Sequence, residues 1–258
     1  MILQNISKAI REQNYYAVVL EFVIVIAGVV IGFQIQAWAQ DQEEKREEQA
    51  VLHRLLDESH EAIAYIDAEI ATSVRSLNLL DQAVAALNSG TLGDLTQAEF
   101  VNGIWRSARY PALTPPRAVV DEIIAGGRIG LIEDPAIREA LSRYQRSIDH
   151  YAQQLPYFRN LAEQPDQLGG AAFASVYRPD LPERRETRAN FEMLASDDRF
   201  VREMTGSLYG QMAMISYRRA VRTSASNLCH AVAGDLERVC QASPMIMELL
   251  PDPEDTAP

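Results

Sequence analysis

Lysine, cysteine and histidine are scarce in this chain of 258 residues: two lysines (Lys8 and Lys45), two cysteines and four histidines. With 24 basic residues against 36 acidic ones, the formal charge is −12. An acidic chain of this kind is a poor candidate for nucleic acid, whose phosphates demand a positive face, and no nucleic-acid partner is expected. Two cysteines rule out the four-cysteine zinc frameworks, and there is no HExxH pair, nucleophile elbow or Gly-rich dinucleotide fingerprint. The chain thus carries no catalytic signature and is read as a non-enzymatic protein without a cofactor. A hydrophobic content of 47% suffices for a buried core, which argues against wholesale disorder.

What is present first is a long apolar run. Ala17 to Phe33 contains one charged residue, Glu21, and twelve of its seventeen residues are Val, Ile, Leu or Phe; Ile35, Ala37 and Trp38 extend it. On a membrane-insertion scale those twelve contribute about −4 to −7 kcal/mol, whereas one carboxyl costs roughly 3 at the helix centre and less near its end. Insertion wins, and Tyr15, Tyr16 and Trp38 stand where interfacial aromatics belong. Residues 17–38 are expected to form a transmembrane helix in contact with the lipid bilayer. A cleaved signal peptide with Ala37-Trp38-Ala39 as its processing site is the alternative, opposed by the length of the run and its acidic residue. A buried helix of a soluble protein would be less uniformly apolar around its circumference.

Glu21, Gly28, Gly32 and Gln36 follow one another at seven, four and four residues, which aligns them on one helix stripe. Gly28 and Gly32 form a GxxxG pair that lets two backbones approach, and Glu21 and Gln36 prefer a partner helix to lipid. The stripe predicts self-association or pairing with another membrane protein. The bland alternative is that glycines are common in such spans and Glu21 merely reaches the headgroups. Basic residues flank both ends (Lys8 and Arg11 before, Lys45, Arg46 and Arg54 after) without clear asymmetry; the favoured orientation puts residues 1–16 inside and the domain outside.

The run Lys8-Ala-Ile-Arg-Glu-Gln-Asn14, then Glu21-Phe22, Gly28, Gly32, Gln34 and Trp38, carries a resemblance, as does Val120-Asp-Glu-Ile-Ile-Ala-Gly-Gly127 with Ile129, Leu131, Ile132 and Ile137-Arg-Glu-Ala-Leu141 leading to Tyr144. These segments resemble a family of uncharacterised bacterial membrane-anchored proteins known only as a domain of unknown function. The resemblance covers the first 40 residues and roughly 114–150 well and the remainder loosely. It implies a bacterial origin, a retained anchor and a helical body, but no activity and no site residues; with the favoured orientation, the span is expected in the bacterial inner membrane and the domain in the periplasm.

Beyond the span, Gln40 to Leu87 holds neither proline nor glycine. Leu56, Ile63, Ile70, Leu77 and Val84 repeat on one heptad position and Leu52, Ile66, Leu80 and Leu87 on its partner, interrupted by Ser59 and Ser73. This predicts one long helix, running on from the span, that packs in a coiled coil or an elongated helical bundle and ends at Asn88-Ser89-Gly90. Thr96-Gln-Ala-Glu99 is a capping box. Thr114 before Pro115 is expected to cap a short helix ending at Gly126-Gly127, and Asp134-Pro135 opens another to about Gln154, kinked or ended at Leu155-Pro156. Residues 164–186 read as a long loop, a last helix as Ser196 to Ala233, and the only short strand candidates flank Gly130. The fold expected is all-α, with a helical soluble domain over 39–243 and a disordered acidic tail over 244–258.

Cys229 and Cys240 stand eleven steps apart, roughly 16 Å in one continuous helix and beyond disulfide reach. Gly234 as a helix stop and Asp235 as the next N-cap offer a chain reversal, so a disulfide is expected in an oxidising compartment; the alternative is two inert buried thiols. His53, Asp57 and His60, with Glu61 adjacent, share a helix face that suits a metal only if another helix adds a ligand; a hydrated charged face explains it better. His150 and His230 are isolated. Ala125 to Gly130 lacks the spacing of a phosphate loop and reads as a helix stop. The clusters Arg184, Arg185, Arg188 and Arg218, Arg219, Arg222 are expected to pair with carboxylates rather than bind an anion.

Overall fold

A computed structural model describes residues 15–182 and 184–241 and is mostly helical, with 77% helix and 4% strand. The motif at Lys8–Asn14 and the acidic tail lie outside the described residues. The chain divides into two units between Val51 and Leu52.

The first helix, α1, spans Tyr15–Ser89 and begins in the first unit. There Leu20, Phe22, Ile24, Val29, Ile31 and Phe33 stand exposed. An 18-residue window reaches a mean hydropathy of 2.6 with none of it buried, so this is a helix long and apolar enough to cross a membrane.

In the second unit α1 turns its heptad face inward. Leu52, Leu56, Ile63, Ile66, Ile70, Leu80, Val84 and Leu87 are buried and Leu77 is half-buried. The two serines that interrupt the pattern are satisfied locally: Ser59 donates to the Leu55 carbonyl at 2.6 Å and Ser73 to that of Glu69 at 2.7 Å. Gly90, with φ +72°, supplies the left-handed residue just past the helix end.

Helix α2 (Gln97–Arg106) opens with a complete capping box, the Thr96 N–H donating to Glu99 Oε2 at 2.9 Å and the Glu99 N–H to Thr96 Oγ1 at 3.2 Å. It crosses α1 at Gly103, where an added Cβ would run into the Leu79 carbonyl oxygen and lie 2.9 Å from the Ala83 Cβ. Residues 107–117 are irregular, and α3 (Ala118–Ala125) starts later than the sequence suggests. Thr114 does not cap it, because Pro115 and Pro116 hold the chain extended. Nor does Arg117, at the N-cap position, cap it with its side chain. The cap comes from α1 instead: the buried Glu58 carboxylate accepts from the Val119 N–H at 2.7 Å and the Val120 N–H at 3.1 Å.

Around Gly130 the structure has a 3₁₀ turn, Arg128–Leu131, rather than strands. Helix α4 (Pro135–Leu161) is capped by Asp134, which accepts from Ala136 N–H at 2.7 Å. It runs through Pro156 rather than ending there. Two contacts hold its last turn: Arg159 bonds the Tyr110 carbonyl, and Phe158 stacks on the Tyr110 ring. The expected loop 164–186 contains a short helix, α5 (Pro165–Gly169), and a strand, β1 (Phe173–Tyr177). β1 pairs antiparallel with β2 (Arg185–Ala189), Phe173 opposite Ala189, so the chain is not purely helical. Phe173 anchors the hairpin in a core with Leu80, Leu87, Phe100, Ile104 and Phe200.

A short helix α6 (Phe191–Ala195) precedes α7 (Asp198–Asp235), which packs along α4 and is capped by Asp197. Helix α7 passes through Gly234, so neither the expected stop there nor an N-cap at Asp235 is found. The reversal follows it: Glu237 N–H donates to the Gly234 carbonyl and Arg238 N–H to that of Ala233, a Schellman pattern with Glu237 at φ +52°. A non-glycine residue there costs about 1 kcal/mol. The turn brings Cys229 and Cys240 to a Cα separation of 5.6 Å, and they are disulfide-bonded.

Candidate functional site

The irregular segment 107–117 has no ladder or helix to take up its backbone carbonyls, so side chains do so. Gln211 of α7 donates through Nε2 to the carbonyls of Arg106, Ser107 and Arg109 at 3.1, 3.2 and 3.1 Å. Arg159 of α4 grips the Tyr110 carbonyl at 2.9 and 2.7 Å through Nε and Nη2. The Pro111 carbonyl accepts from Tyr151 Oη and Arg218 Nη2, both at 2.9 Å.

This stapled segment forms one wall of a cleft of about 460 Å³. Its other walls are Glu69, Thr72, Ser73 and Ser76 of α1 and Gln211 and Arg218 of α7, with Arg106, Arg109, Tyr110 and Pro111 from the segment and the end of α2. Arg218 is 3% exposed, and its bonds go to two neutral oxygens, Tyr151 Oη at 3.2 Å and the Pro111 carbonyl. Among the described residues no carboxylate pairs with it. A buried cation without a counter-charge costs several kcal/mol. Arg106 gives one nitrogen to Ser76 Oγ at 3.3 Å, while its Nε is buried without a partner. Arg109 is exposed at the rim. Three guanidinium groups therefore share the cleft with one carboxylate, Glu69, in a chain that is strongly acidic as a whole.

Tyr110 belongs to a second groove as well, of about 410 Å³, lined by Tyr157, Phe158, Leu161, Tyr209 and Gly210 together with the half-buried Glu203. Tyr157 and Leu161 are each 58% exposed and Tyr209 65%, an apolar surface beside the cationic one. Burial pushes the Tyr110 hydroxyl up to about 12, so it stays protonated.

Of the two arginine clusters, Arg222 pairs with the buried Asp67 at 3.0 Å and Arg188 with Glu186 at 3.4 Å. Arg185 lies instead over the Trp105 ring at 4.8 Å, and Arg218 has the neutral partners described above. The expectation of carboxylate pairing thus holds at Arg188 and Arg222 and fails at Arg185, which the Trp105 ring takes up, and at Arg218, whose donors go to Tyr151 and the proline-bearing segment. Among the described residues His53, Asp57 and His60 do not form a metal-capable cluster; the ligand atoms of His60, Cys229 and Cys240 are the ones that lie within 4.8 Å of one another. The disulfide occupies both sulfurs, and His60 Nε2 accepts from the Gln241 N–H at 3.1 Å. In the apolar part of α1, Glu21 is half-buried, Gly28, Gly32 and Gln36 are exposed, and nothing lies within 4 Å of a Cβ placed at either glycine. Sequence reasoning missed Glu58 and the cleft altogether; only Pro111, Pro115 and Pro116, which mark a segment needing outside donors, pointed that way.

Comparison with known protein families, characterised proteins and solved structures finds no match for this chain.

Proposed function

We propose that this chain is a membrane-tethered helical module that acts by association in a bacterial envelope. The first part of α1 is its single span, in the inner membrane, and an elongated helical bundle forms its periplasmic domain. Helix pairing, with a second copy or another membrane protein, runs along Glu21, Gly28, Gly32 and Gln36. The observation that carries the reading is the apolar window of mean hydropathy 2.6 with no residue buried, a surface that needs lipid or a partner to cover it. The open space at Gly28 and Gly32 suits close backbone approach. The heptad face is already buried against its own chain, which favours the span over a coiled coil as the place of pairing. Cross-linking in native membranes is expected to trap an oligomer that Gly28→Leu with Gly32→Leu weakens. A monomer in both cases would defeat the proposal.

A second reading is a sensor-like domain that binds a small ligand and signals through a partner. The arginine-lined cleft favours it, because Arg218 is buried there on two neutral oxygens and Glu69 is the single acidic lining residue beside three arginines.

A further inference from the structure

We infer that the cleft receives a small organic anion, its acidic head on Arg106, Arg109 and Arg218 and its apolar body along Tyr110 into the adjoining aromatic groove. The inference rests on the sensor-like reading and names its ligand class. Charge carries the first half. Arg218 is 3% exposed and has only neutral partners, and Arg106 Nε is buried with none at all. Both line the same cleft, with the exposed Arg109 beside them and Glu69 as the only acidic lining residue. An incoming carboxylate or phosphate would supply the missing counter-charge and take bidentate hydrogen bonds from the planar guanidinium groups.

The neighbouring groove carries the second half. Tyr110 lines both spaces and is the wall they share, so the cationic and aromatic surfaces lie side by side. Tyr157, Leu161 and Tyr209 stand more than half exposed there, an apolar surface the protein leaves uncovered. Glycine at 210 lets the Tyr110 ring pack directly on α7, because a Cβ at that position would approach the Tyr110 hydroxyl oxygen to 2.7 Å. A mineral anion would use the arginines alone; only a ligand with both an acid group and an apolar body uses both surfaces.

The test uses the full chain in lipid nanodiscs, with saturation-transfer NMR for the organic probes and phosphorus-31 line broadening for phosphate, both corrected against empty discs. The probes are 3-phenylpropionate, propionate, inorganic phosphate and 3-phenylpropanol. Saturable binding of phenylpropionate is expected, with the other three weaker. Arg109→Gln, at an exposed position that bears no part of the core, should weaken phenylpropionate roughly ten-fold by removing one charged contact. Tyr209→Ser should weaken phenylpropionate while leaving phosphate unchanged. Equal binding of the alcohol and the acid, or indifference to Arg109→Gln, overturns the anion site. Phosphate binding as well as phenylpropionate overturns the apolar half. Failure of the sensor-like reading looks different: phenylpropionate binds with the expected dependence, yet the membrane cross-linking pattern is the same with and without it.

Discussion

Replacing Glu58 tests whether one side chain of α1 sets the start of α3. Its carboxylate accepts from the N–H groups of Val119 and Val120, the positions an N-cap side chain would serve, and Glu58 is only 9% exposed. Glu58→Ala leaves both donors buried without an acceptor. A hydrogen bond to a charged group contributes about 1.5–3 kcal/mol, and loss of a helix cap costs about 0.5–2. The two bonds share one carboxylate and do not add fully, so the expected loss is about 2–4 kcal/mol. At about 2–4 °C per kcal/mol for a domain of this size, the melting temperature should fall by roughly 5–15 °C. Glu58→Gln keeps one acceptor oxygen and should lose about half as much. Thermal unfolding of the full chain, followed by circular dichroism with the disulfide intact, measures both. An alanine variant within about 0.5 kcal/mol of the native protein would mean that α3 starts where it does for other reasons.

Gly103→Ala should destabilise by roughly 2–3 kcal/mol, because the new methyl meets the Leu79 carbonyl and the Ala83 methyl where α2 crosses α1; urea unfolding reads it, and a neutral result would show that the crossing can open. Stability should also fall at both extremes of pH. Arg54 and Arg178 hold Glu122, Asp180 and Glu186 below the usual carboxylate range, and the Thr96 hydroxyl and N–H do the same for Glu99. Their contribution is complete above the ordinary values of 4.5 and 3.8 and is lost as the pH drops through the lowered ones. Tyr110, raised from 10.0 to about 12, contributes in the opposite sense: its share is whole below pH 10 and lost on the way to 12, and Tyr110→Phe should make that limb shallower without abolishing it, because burial raises Tyr144 and Tyr151 as well. A urea midpoint that stays constant from pH 6 to 3 would refute the acidic limb.

Local signals survived where a residue and its partner are close in sequence. The capping box at Thr96 and Glu99, the Asp134-Pro135 start and the stop at Gly90 are each decided within four residues, and the structure has all three. The heptad from Leu52 to Leu87 was legible because its period is intrinsic to the helix. The hairpin was not: Arg185 to Ala189 lacks apolar alternation, and its pairing depends on Phe173 reaching a core built from α1, α2, α6 and α7. Pro156 misled for a related reason. Its missing N–H weakens the helix locally, but Arg159 and Phe158 fasten the last turn to Tyr110 from outside. Glu58 on Val119 and Val120, and Arg218 on Pro111, join residues about 60 and 107 positions apart, a distance at which composition and spacing are silent.

The scarcity of lysine acquires a physical meaning in that segment. Pro111, Pro115 and Pro116 keep residues 107–117 out of any helix, and its carbonyls face inward. An ammonium group is a strongly hydrated point charge, costly to bury beside neutral oxygens. A guanidinium is more weakly hydrated and carries donors in a fixed plane, so Arg159 can place two of them on one carbonyl and Arg218 can divide two between Tyr151 and Pro111. Arginine serves as a backbone clamp here. The clamp always brings a positive charge, however, and at Arg218 neither of the two oxygens it holds can neutralise it. A protein could relieve that charge with a buried carboxylate, as Asp67 does for Arg222. At Arg218 the corresponding space is an open cleft in which Glu69, the one acidic lining residue, makes no direct ion pair with it, so the cleft leaves room for a further anion beside three guanidinium groups.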